Sequence, residues 1–416
     1  MQLPSNLSPP ERPQWIARIA AFVLVTVLLV AAAWHTIPPE KVCPDFIQFW
    51  TAASLLSEGR DPYDASLQAA VQGGLGWDKQ AHGYGVYDFL PYYYPPWLGL
   101  AFLPLLPLGY ALAKLTWLVL GGEMLVLAGL LLKDTVRGVQ PVLAVAVVVL
   151  FGFSIKAVAM GQVAPLVLLL IALAWKLLAG HRDVAAGCVL ALLTIKPQLT
   201  LLLLLAVLGW AARQRRWGVW RGLAVTFAVL CVASTIASPS WLPAMLAATR
   251  ATPMPTAYYP GLGTTWYVVL EAVGLRGVPL HAAYLAVAVP LLLALLRMTL
   301  RSRRGLEDIV GVALIAPFFV APYARPYDFP VLLIPALTLM GTRLPALSRA
   351  MLAFTLTVLP ALHILRLTAD FVTPVVGMRR PEFTYFWIPL LVAATWLFCA
   401  GNGSSEGETL ASEDHE

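Results

Sequence analysis

Asp45, in Lys41-Val42-Cys43-Pro44-Asp45-Phe46-Ile47-Gln48-Phe49-Trp50, is a carboxylate placed directly after a long apolar run. Lys196, in Leu193-Thr194-Ile195-Lys196-Pro197-Gln198, is a cation between two apolar stretches. Arg325-Pro326-Tyr327-Asp328 sets a cation, a phenol and a carboxylate where one apolar run gives way to the next. Charged groups inside or bordering membrane spans are expensive, so each is a candidate for function. A carboxylate so placed can take a proton from a hydroxyl. A lysine and the planar fork of an arginine can hold a phosphate, while Tyr327 and Asp328 can bond to hydroxyl-rich ligands. Gln162, in Met160-Gly161-Gln162, puts an amide at a helix break, and Tyr94, in Tyr92-Tyr93-Tyr94-Pro95-Pro96-Trp97, offers an aromatic wall.

Each of these residues also has a purely structural reading. Asp45 with Gln48 three positions later resembles a capping box at a helix start, a role compatible with catalysis because a cap would hold the base in place. Lys196 is placed to snorkel to the interface. An Arg325–Asp328 ion pair would clasp two helix ends, Gln162 would suit a cap or turn, and the tyrosines fit an interfacial aromatic belt.

The elements that carry these residues are helices in a bilayer. The 416 residues are 59% hydrophobic and only 12% charged, against an average of roughly 25% charged residues in soluble domains. At about 20 apolar residues per crossing, the apolar runs predict about eleven to thirteen transmembrane helices in an all-α polytopic protein. The first run, Trp15 to Trp34, follows Arg12 and Arg18 and reads as a retained first helix with a cytoplasmic N-terminus. Arg213, Arg215, Arg216 and Arg221 mark one cytoplasmic loop, and Arg297, Arg301, Arg303 and Arg304 another. These basic loops are topology signals, so the net charge of +6 does not argue for nucleic acid.

Residues 35–93 form one long first loop, rich in acidic residues, that belongs outside. Within it Phe46, Phe49, Trp50, Ala53 and Leu56 recur at helical spacing, predicting a short interfacial helix stopped by Gly59 and Pro62. Prolines at 104, 107, 165, 197, 290 and 317 predict broken helices around a polar cavity. The run Tyr94 to Leu132 is too long for one ordinary span and leaves the parity of that region open. Residues 1–400 read as one transmembrane domain and residues 401–416 as a disordered acidic tail. Four scattered cysteines suggest no metal or disulfide, Asp61 and Asp64 in the DPYD segment read as a turn, and no nucleotide-binding or zinc-hydrolase motif is present.

Taken together, several short segments resemble glycosyltransferase family 87, a family of polyprenol-phosphate-sugar-dependent enzymes of the GT-C fold that includes mycobacterial α-1,2-mannosyltransferases. They are Asp45 with its aromatic helix and Gly59-Arg60-Asp61-Pro62-Tyr63, then Tyr94-Pro95-Pro96, Gly161-Gln162, Ala186-Gly187, Ile195-Lys196-Pro197-Gln198, and Arg325-Pro326-Tyr327-Asp328 leading into Leu332-Leu333 and Pro335. The resemblance implies a multi-pass protein of the bacterial cell membrane, with an extracytoplasmic active site and no cofactor or metal. It implies that a hexose, with mannose favoured, moves with inversion from a polyprenyl-phosphate-linked donor to a glycolipid or glycan acceptor. Asp45 would be the general base, and Lys196, Arg325, Tyr327, Asp328, Gln162 and Tyr94 would bind the donor phosphate and substrate. Where the mycobacterial members carry a histidine-rich segment, this chain has Tyr327-Asp328.

Two other readings fit parts of the pattern. Broken helices and buried charges also suit a transporter or flippase of lipid-linked sugars, which would call for internal repeats that the chain does not show. A structural membrane protein would use Asp45 only as a cap and Arg325 and Asp328 only as a clasp.

Overall fold

The computed structural model describes residues 43–77, 89–135, 140–251, 261–301, 305–358 and 382–399. The first apolar run, Tyr258-Tyr259 and the acidic tail lie outside them. All regular structure among the described residues is helical. Helices α1 (Phe46–Ser57) and α2 (Ala65–Gly74) belong to the first loop, and α3 (Pro96–Phe102) continues through a 3-10 segment, Leu103–Leu108, into α4 (Gly109–Thr135). There follow α5 (Pro141–Leu150), α6 (Gly152–Ala159), α7 (Ala164–Ala179), α8 (Asp183–Leu192), α9 (Pro197–Arg213), α10 (Trp217–Ala237) and α11 (Trp241–Ala251). Beyond them lie α12 (Trp266–Ala272), α13 (Gly277–Arg301), α14 (Leu306–Ile315), α15 (Pro317–Val320), a 3-10 turn at Pro326–Leu332 and α16 (Leu333–Thr338). Helical segments Ala346–Val358 and Glu382–Cys399 complete the described chain.

This is an all-α polytopic membrane protein, but its apolar sequence is cut more finely than one helix per crossing. Among the described residues, four stretches are long and apolar enough to span a bilayer: Pro96–Lys133, Trp217–Ala237, Gly277–Arg301 and Glu382–Cys399. A fifth is made by α5 and α6 if the pair, bent by 54°, is one span. Six further apolar helices, α7 and α9 among them, are only 10–17 residues long. The expected eleven to thirteen crossings took helices of uniform bilayer length, whereas among the described residues long spans alternate with these shorter pieces. The long run from Tyr94 divides into one short helix, a proline-bearing 3-10 turn and one helix of 27 residues, about 40 Å long.

The prolines act differently from the sequence expectation. Pro165, Pro197 and Pro317 stand in the first turns of α7, α9 and α15, where a missing N–H costs no hydrogen bond. Of the six singled out, Pro290 alone lies inside an α-helix. The breaks therefore fall between helices, and those breaks carry Gln162, Lys196 and Arg325.

These three breaks share one end of the bundle. Helix α7 leads from Gln162 to His181-Arg182, and α9 leads from Lys196 to Arg213, about 25 Å away over 17 residues. Arg216 joins the two basic loops: its Nε lies 2.9 and 3.1 Å from the carboxylate oxygens of Asp183, and its Nη2 donates to Leu178 O at 2.8 Å. Likewise α14 and α15 lead from the Arg301 loop towards Arg325. Close backbone approach holds α8 against α10: a Cβ on Gly187 would fall 2.1 Å from Val219 O, and one on Gly222 equally close to Val184 O. Small residues permit such contact where lipid offers no hydrophobic drive between helices.

Candidate active site

Asp45 is positioned by backbone, not by a cap. Its N–H donates to Met160 O at 3.0 Å, and the N–H of Cys43 donates to Ala159 O at 2.8 Å, so the loop entering α1 is stitched onto the break after α6. That break turns at Gly161, whose φ of +72° favours glycine and where a Cβ would crowd Cys43 and Phe46 at 3.0–3.2 Å. Trp117 Nε1 fixes the same peptide by donating to Gly161 O at 2.9 Å. The next residue is Gln162, and its Nε2 donates to Asp45 Oδ2.

The capping expectation for Asp45 is thereby corrected. Asp45 makes no side-chain cap bond to α1, because its carboxylate turns towards Gln162. The side-chain cap of this loop is Asp64, which accepts from Ser66 N at 2.8 Å and Leu67 N at 3.0 Å at the start of α2. Those bonds, the Ser66 hydroxyl first, hold the Asp64 carboxyl below its usual range. Helix α1 is also enclosed more completely than a one-faced interfacial helix: Gln48 and Thr51 are buried along with its aromatic residues. Asp45 itself is 3% exposed.

All seven residues singled out in the sequence meet here. Tyr94 OH donates to Gln162 Oε1 at 3.5 Å, and the Tyr94 ring packs edge-on to Phe49 of α1. Burial, then the charges of Asp328 and Asp45, pushes the Tyr94 phenol well above its ordinary value, so one ring senses both carboxylates. Lys196 Nζ pairs with Asp328 Oδ1 at full burial, and Asp328 Oδ2 accepts from the backbone N–H of Arg325 at 3.0 Å. Tyr327 lies beneath both cations, with Lys196 Nζ at 5.0 Å and the Arg325 guanidinium at 5.4 Å from its ring centre.

The clasp expected between the side chains of Arg325 and Asp328 is replaced by a longer-range pair. The Arg325 guanidinium meets Glu382, with Nη2 donating to Oε1 at 2.9 Å and Nε lying 2.6 Å from Oε2. Its Nη1 donates to Tyr323 OH at 3.2 Å, and burial raises that phenol to about 12. Lys156 Nζ stands 3.5 Å from the same Glu382 oxygen. The cluster thus balances Lys156, Lys196 and Arg325 against Asp45, Asp328 and Glu382. Among the described residues, no group of three or more His, Cys, Asp or Glu side chains is suited to a metal.

Sequence reasoning missed Lys156 and Glu382. A lysine inside the apolar run Phe151 to Met160 is the same signal that marked Lys196, so Lys156 was findable. Glu382 follows Arg379-Arg380-Pro381 and reads locally as an interfacial acid; only its packing against Arg325 distinguishes it.

The model of glycosyltransferase family 87 matches residues 92–325, more than half of the chain. The chain belongs to glycosyltransferase family 87. No curated protein and no solved structure matches it. As a family 87 member it is a membrane glycosyltransferase, acting on a sugar donor and an acceptor at a lipid bilayer. The family 87 match takes in Tyr94, Lys156, Gln162, Lys196 and Arg325, whereas Asp45, Tyr327, Asp328 and Glu382 join them only through the fold.

Proposed function

We propose that this family 87 enzyme moves a hexose, with mannose favoured, from a polyprenyl-phosphate-linked donor to a hydroxyl of a glycolipid or glycan acceptor. Transfer proceeds with inversion, on the extracytoplasmic side of the bacterial inner membrane, in a bundle of the GT-C kind. Asp45 takes the proton of the attacking hydroxyl as the new oxygen–carbon bond forms at the anomeric centre. The bond from that carbon to the phosphate oxygen breaks, and its electron pair leaves with the polyprenyl phosphate. Lys196 and Arg325 face the phosphate, and Tyr327, Asp328, Gln162 and Tyr94 bound the sugar.

The observation that carries this reading is a buried Asp45, oriented by Gln162, in one charged cluster with Lys196 and Arg325. In the transition state, negative charge passes from the Asp45 carboxylate to the departing phosphate. Cations already held beside the site of developing charge favour that transition state over the ground state. Membership of family 87 favours this chemistry over lipid flipping.

The test is transfer from polyprenyl-phosphate hexoses to a panel of glycolipids in membranes carrying wild type or Asp45→Asn. Asparagine can still accept from Gln162 but cannot take a proton, so the rate should fall by roughly 10²–10⁴-fold. Transfer at the wild-type rate would remove Asp45 from the mechanism.

A further inference from the structure

A cavity of about 300 Å³ lies apart from the charged cluster, between the first loop and α11. Its loop side carries Asp61, Tyr63, Gln68, Phe89 and Tyr92, and its opposite wall is the alanine face of α11, including Ala248. At ~30 Å³ per water, it has the space of about ten waters, room for one or two pyranose rings.

The wall is rigid, and it presents bonding groups that the fold leaves open. Tyr92 is fully buried, its OH donating to Pro95 O at 2.7 Å and accepting from Gly99 N at 2.9 Å. Gln68 is 2% exposed and accepts from Tyr92 N through Oε1 at 2.8 Å, while no described residue accepts from its Nε2. That amide is available to an oxygen in the cavity, which Gln68 lines. Asp61 spends Oδ1 on Tyr63 N at 2.9 Å and adds a carboxylate at the rim. The lining is mostly apolar, with three aromatic rings, an amide and a carboxylate, and a pyranose ring offers both an apolar face and hydroxyls to match it.

The cavity is wired to the reaction centre. Tyr63 OH donates to Tyr94 O at 2.7 Å, and the rings of Tyr63, Tyr92 and Tyr94 follow one another at 5.8 Å intervals. Tyr94 in turn reaches Gln162, which holds Asp45. We propose that this cavity is a carbohydrate subsite that holds a sugar unit of the acceptor next to the one being extended. This inference rests on the glycosyl-transfer reading above.

The test separates the two. In the purified full-length protein, saturation-transfer NMR would follow binding of free mannobiose and maltose, with decanol as the sugar-free probe, to wild type, Gln68→Glu and Ala248→Leu. Gln68→Glu keeps the oxygen that Tyr92 N needs and removes the Nε2 donor; Ala248→Leu fills the space. A disaccharide should bind wild type and lose at least tenfold in affinity in both variants, each of which should still melt cooperatively. In transfer assays the same variants should raise the acceptor KM and leave donor KM and kcat as they are. Saccharide binding indifferent to both substitutions, or decanol binding blocked by Ala248→Leu while sugars are unaffected, overturns the subsite. Loss of saccharide binding in the variants alongside a wild type inactive on polyprenyl-phosphate donors would keep the subsite and reject the donor.

Discussion

Gln162 Nε2 donates to Oδ2 of Asp45, joining two residues 117 positions apart at the centre of the charged cluster. A hydrogen bond to a charged group contributes about 1.5–3 kcal/mol, and here it also fixes which way the carboxylate faces. Gln162→Leu should therefore lower kcat by roughly 10- to 100-fold with little change in protein abundance. Gln162→Glu sets a second carboxylate beside the first and raises the Asp45 pKa, so the acidic limb of the pH–rate profile should move to higher pH. An unmoved limb would show that Asp45 is not the group titrating.

The Lys196–Asp328 pair is buried on both sides. Removing one partner leaves a lone buried charge, so Lys196→Met should destabilise by about 3–5 kcal/mol. The double variant Lys196→Met with Asp328→Asn should recover much of that stability without recovering transfer. Melting in detergent measures the first effect and a transfer assay the second.

Glu382 serves two cations unequally, contacting Arg325 through both oxygens and Lys156 at 3.5 Å. Glu382→Ala takes the carboxylate away from both cations and should cost about 3–5 kcal/mol, whereas Lys156→Met leaves the Arg325 pair intact and should cost clearly less. Equal losses in a thermal melt would mean that the two cations depend on Glu382 alike.

Gly187→Ala and Gly222→Ala each drive a Cβ to 2.1 Å from a backbone oxygen of the facing helix. Each should destabilise by roughly 1–3 kcal/mol as α8 and α10 are forced apart. Gly73→Ala in α2 meets nothing within 4 Å and should be neutral or slightly stabilising. The three melting temperatures, compared in one detergent, check the contrast.

Asp64 supplies a pH signature away from the site. Its carboxyl is held below the ordinary value of 3.8, chiefly by the Ser66 hydroxyl and the N–H groups it caps. A group depressed in the folded state stabilises fully above its unfolded value and loses that contribution as pH falls through its folded one. Asp64→Ala should therefore lower the melting temperature near neutral pH, and the gap from wild type should close as the pH drops below 3.8. A gap independent of pH would assign the effect to packing instead.

Much of this protein was legible in its residue order, for a simple reason. The solvent is a bilayer, so hydropathy alone marks the helical segments, arginine placement marks their ends, and any charge amid apolar sequence stands out. Asp45, Lys196 and Arg325 were conspicuous on that ground, Gln162 stood out as an amide at a helix break, and Tyr94 as an aromatic wall. What those charges face was not legible. The Asp45 carboxylate accepts from an amide 117 residues away and makes no cap bond to the α1 backbone. The Arg325 guanidinium meets Glu382 and Tyr323, not the neighbouring Asp328, whose oxygens are taken by Lys196 and by a backbone N–H. Local spacing favours near partners because it holds no information about distant ones. Inside a low-dielectric bundle, burial makes each charge seek the partner that packing brings closest, and only the tertiary structure decides which that is.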